Sequence, residues 1–152
     1  LKCLGDKHLQ IKTTTTGQIF DIDLEDTTLF PLYHINPVSV DVSLQLKTFN
    51  FQIFVMDIVD PDNNQEQYVQ SDVLQIATDI IALLKSGSIL NHRDVTADKE
   101  ARYFVNDDFA LEPFQERFDN YVTGWVFDVA VEVESELDSC DIPIDTSVTC
   151  VK

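Results

Sequence analysis

Two stretches of apolar–polar alternation constrain this chain more than any other feature in it. From Val38, the residues Val38, Val40, Val42, Leu44 and Leu46 fall on one side of an extended backbone, with Ser39, Asp41, Ser43 and Gln45 on the other. The phase shifts at Thr48 and Phe49, after which Phe49, Phe51, Ile53 and Val55 continue it. Further along, Trp125, Phe127, Val129, Val131 and Val133 alternate with Val126, Asp128, Ala130, Glu132 and Glu134. A period of two marks strands with one covered face, so both stretches predict β-structure. The first is one long bent strand or two strands; the second has a core face and a largely acidic one.

Between them lies the one clear helical period. Val69, Val73, Ile76, Ala77, Ile80, Leu83 and Leu84 recur at spacings of three and four, and Leu74 and Ile81 widen the stripe. This predicts an amphipathic helix from Gln67 to Ser86 that packs into a core, with Lys85 complementing its dipole and Gly87 stopping it.

The other segments are less regular. Leu1 to Leu4 read as the last turn of a helix ended by a left-handed Gly5, and this start, with Leu in place of Met, implies that more chain precedes it. His8 to Thr13 and Gln18 to Leu24 alternate around Thr13–Gly17, which predicts a hairpin arm over residues 8–24. Leu29 to Ile35 is β-rich, and Pro31 confines it to an edge or a strand start. Asp57 to Gln65 reads as an acidic loop, Tyr103–Val105 as a short strand, and Asp107 to Asn120 as an aromatic, acidic connection. Beyond Ser135 the tail, residues 136–152, loses periodicity. With no repeat and no dividing linker, residues 1–152 read as one α+β domain. The expected architecture is an antiparallel sheet with one main amphipathic helix packed on one face, plus the N-terminal hairpin arm.

Charge narrows the function. The 152 residues hold 27 acids against 10 Lys and Arg, a net charge of −17, with 44% hydrophobic residues. A chain of this length and apolar content buries roughly two thirds of its unfolded surface, so the acidity sits on a folded body. It works against sequence-independent binding to nucleic acid and against anionic membranes. With no run of 18 apolar residues and no apolar signal core at its start, the chain reads as soluble.

Signatures of chemistry are tested and fail. Cys3, Cys140 and Cys150 have no Cys-x-x-Cys and no nearby His at ligand spacing, which argues against a zinc site. A Cys140–Cys150 bridge and three reduced thiols both stay open. His92-Arg93-Asp94 copies part of a kinase catalytic loop, but Lys99 stands where the metal-binding Asn belongs. Asp60, Asp62 and Asn64 have the first spacings of a calcium loop, but Gln65 and Ser71 replace its Gly and its bidentate Glu. The 4 glycines form no phosphate-binding loop, and no Gly-x-Ser-x-Gly elbow exists. His8, His34 and His92 read as surface or partly packed residues. Carboxylate pairs such as Asp107 with Asp108, or Glu132 with Glu134, have no pocket that can be argued around them. The expectation is a protein that is not an enzyme and uses no cofactor or metal.

In element order the chain resembles the tail-terminator and neck-ring proteins of tailed bacteriophages. The corresponding pieces are Leu1 to Gly5, the alternating Val38 to Val55, the helix from Gln67 to Ser86, and Trp125 to Glu134. The stretch Gly124-Trp125-Val126-Phe127-Asp128-Val129-Ala130-Val131-Glu132-Val133, followed by Leu137-Asp138-Ser139-Cys140-Asp141-Ile142-Pro143, also looks like the C-terminus of structural proteins from such phages. The resemblance implies a virion protein, made in the host cytoplasm, that forms a hexameric or dodecameric ring in the neck or tail end. Its partners would be other copies of itself and portal, connector, or tail tube or sheath proteins. DNA would pass through without specific binding, and no membrane would be involved. A carboxylate-rich lumen lets a duplex slide because it repels phosphate. The candidate acidic lumen or interface residues are Asp57, Asp60, Asp62, Asp107, Asp108, Asp128, Glu132 and Glu134. The alternative is an acidic DNA-mimic or interaction protein that binds a basic partner.

Overall fold

The alternating segments become the centre of a six-stranded sheet. The computed structural model describes residues 1–18, 28–60, 65–86, 103–117 and 121–135. In chain order these form α1 (Lys2–Lys7), β1 (Thr13–Thr16), β2 (Leu32–Val42), β3 (Leu46–Ile58), α2 (Glu66–Ser86), β4 (Tyr103–Val105), β5 (Glu112–Arg117) and β6 (Tyr121–Glu134). The sheet order is β1-β2-β3-β6-β4, with β5 also pairing with β6. The fold is α+β.

The first alternating stretch divides into two strands. Ser43 closes the turn, its backbone N–H and its hydroxyl both donating to the Leu46 carbonyl at 2.8 and 3.0 Å. Reversal at this turn puts Leu46 opposite Glu134 rather than in the valine row. A register shift between Pro37 and Ser39 adds a residue to β2. Pro37 has no N–H to give the ladder, and one extra residue inverts the facing of everything after it. Tyr33 and Ile35 therefore share a face with Val40, which pairs with Phe49.

That face is the principal core. Tyr33, Ile35, Ile53, Val55, Phe127, Val129 and Val131 meet Val73, Ile76, Ala77, Ile80 and Leu84 of α2, with Leu4 of α1 joining them. The helical stripe read from the sequence is this contact. Trp125 fastens it by donating its indole N–H to the Gln70 carbonyl at 2.9 Å. At the other end of α2, Lys85 lies 5.5 Å from the Phe109 ring, which meets Phe127 edge-on.

Several expectations need correction. The threonine run, expected as a turn, is strand β1, and it pairs parallel with β2, Thr13 with Leu32 through Thr16 with Ile35. The sheet is therefore mixed, and the first half of the expected arm is a sheet edge; residues 19–27 lie outside the described residues. β-branched side chains suit a pleated surface, and this preference outweighs the turn chemistry of a Thr-rich link. Gly5 lies inside α1 rather than ending it. A Cβ there would come within 2.5 Å of the Tyr33 ring and 2.6 Å of the Thr14 hydroxyl, so close packing explains this glycine. β5 was unforeseen within the stretch Asp107 to Asn120. His34 is buried, with Nδ1 2.8 Å from the Thr15 hydroxyl and its ring tilted against Phe54. His8 is largely covered, 3.6 Å from Asp79; His92 lies outside the described residues, as do Gly87 and the tail from 136.

Candidate functional site: the acidic sheet face

The face opposite the helices is divided along its length. At one end Leu32, Phe54, Met56 and Val122 form a second apolar cluster with Phe30, Phe114 and Val126. Toward the hairpin the same face turns polar: Ser39 and Asp41 on β2, Thr48, Asn50 and Gln52 on β3, Asp128, Glu132 and Glu134 on β6. The acidic side of the final strand thus begins only after Val126.

On this polar half, carboxylates occupy β2 and β6 while amides and a hydroxyl occupy β3 between them. Asn50 donates to Asp41 at 2.7 Å and to Ser39 at 3.0 Å. Gln52 donates to Asp128 at 3.4 Å. Glu132 lies opposite Thr48. The neutral donor strand keeps the carboxylates of β2 and β6 about two strand spacings, roughly 9–10 Å, apart. Among the described residues no Lys or Arg forms an ion pair with Asp41, Asp128, Glu132 or Glu134.

The loop after β4 extends this surface. Asn106 continues the ladder by exchanging backbone and side-chain bonds with Ala130, and its amide donates to the Asp108 carbonyl at 2.7 Å. Asp108 consequently lines a shallow hollow of about 280 Å³ with Gln52, Asn106, Glu112 and Asp128. Asp107 is exposed beside it.

Asp57 is not on this face. Asp57 pairs with Thr123 on β6, on the helix side of the sheet. Burial raises its carboxyl above the usual range and nearby Asp72 adds to this, while a hydrogen bond from the Ile58 N–H at 2.8 Å opposes it. Asp57 belongs to the junction where α2 begins, near Gln70, which donates to Thr123 at 3.1 Å. Asp60 is exposed past the end of β3, and Asp62 lies outside the described residues. Charge counting along the chain grouped Asp57 with Asp128, Glu132 and Glu134; strand parity separates it from them.

Among the described residues no group of three His, Cys, Asp or Glu side chains is placed to hold a metal ion. Cys3 is a free, exposed thiol, and no described helix is long and apolar enough to cross a membrane. Sequence reasoning missed the row of amides on β3. Asn50 and Gln52 alternate with Phe49, Phe51 and Ile53, so the signal was present as polar residues on the uncovered side of a strand. No known family model matches this chain, and a search of curated proteins found no match.

Proposed function

We propose that this chain is a structural subunit of a tailed bacteriophage, a member of a homo-oligomeric ring at the neck or tail end, past which DNA moves without being held. The observation that carries the reading is the segregation of the sheet. One face is committed to the helices; the other presents Asp41, Asp128, Glu132 and Glu134 across a broad surface where no described cation pairs with them. A surface of this kind repels a phosphate backbone, and it serves a conduit better than a grip. The resemblance in element order to tail terminators supplies the ring and its place in the particle.

The test is genetic. Removing the gene from the virus that carries it should leave unjoined heads and tails, or tails of irregular length, by electron microscopy, and restoring it should repair them. Normal infectious particles without the gene would overturn the proposal.

A further inference from the structure

We draw no further inference here: the strongest candidate, the patch of exposed valines Val38, Val40 and Val42 at the hairpin end of β2, is an apolar surface that nothing in the structure shows to be covered by a particular partner.

Discussion

Single residues carry the most local claims. Gly124 is buried on β6, and a Cβ there would lie 2.1 Å from the Val55 carbonyl oxygen and 2.8 Å from the Met56 Cα. Backbone on the central strand pair cannot yield as a flexible side chain would. Gly124→Ala should therefore cost at least about 1–3 kcal/mol in urea unfolding, the range for overpacked cores. Tyr33 makes the opposite case. Its hydroxyl is buried without a hydrogen-bond partner among the described residues, and burial raises its pKa. Tyr33→Phe removes an unsatisfied polar group, so unfolding should show stability unchanged or raised by about 1 kcal/mol. At Asp57 the effect depends on pH. Its carboxyl is raised in the folded state, so the folded chain holds this proton more tightly than the unfolded chain, whose value is about 3.9. Stability then falls as pH rises through the folded value, and the cost is complete above it. Asp57→Asn should be more stable than the parent at pH 7, with the gap closing as pH is lowered toward the unfolded value. A gap that widened toward acid would reverse the sign of the argument.

Whole elements show how far periodicity reads and where it stops. The α2 stripe, the final strand and the short β4 were legible because each buries one face against a neighbour, and burial is what imposes a period. β1 was not legible, since four threonines have no period and its parallel partner lies far along the chain. The valine row on β2 was legible as a strand and misleading as core: it has the alternation of Ile53 and Val55 without their cover. Alternation reports which side differs in polarity; what lies beyond that side depends on where helices end. For the acidic face, Asp128, Glu132 and Glu134 followed from strand parity, whereas Asp57, Asp60 and Asp108 needed the fold to place them. The two apolar rows should respond differently to truncation. Ile53→Ala, fully buried beneath α2, should cost about 2–5 kcal/mol in chemical denaturation. Val42→Ala, 57% exposed, should change the monomer's stability by no more than about 0.5 kcal/mol. Trp125→Phe keeps most of the packing and loses the bond to Gln70, so a loss of about 1 kcal/mol is expected.

At the scale of the molecule, charge decides what this chain can meet. The chain carries a net charge of −17 while its stretch from Pro31 to Met56 holds only Asp41 and Lys47, which leaves self-association opposed by long-range repulsion and favoured by short-range apolar contact. Salt weakens the first and spares the second, since screening acts over about 8 Å at physiological ionic strength and about 3 Å at 1 M. Association measured by sedimentation should strengthen as salt rises. An acidic protein built to occupy a basic partner would behave in the opposite way, losing its complex as salt rises. Quantitative mass spectrometry of purified virus particles tests the central claim most directly. The chain should be present at a fixed ratio to the portal, corresponding to a hexameric or dodecameric ring. Its absence from particles, or an amount that varies from one preparation to the next, would contradict a structural role in the neck or tail.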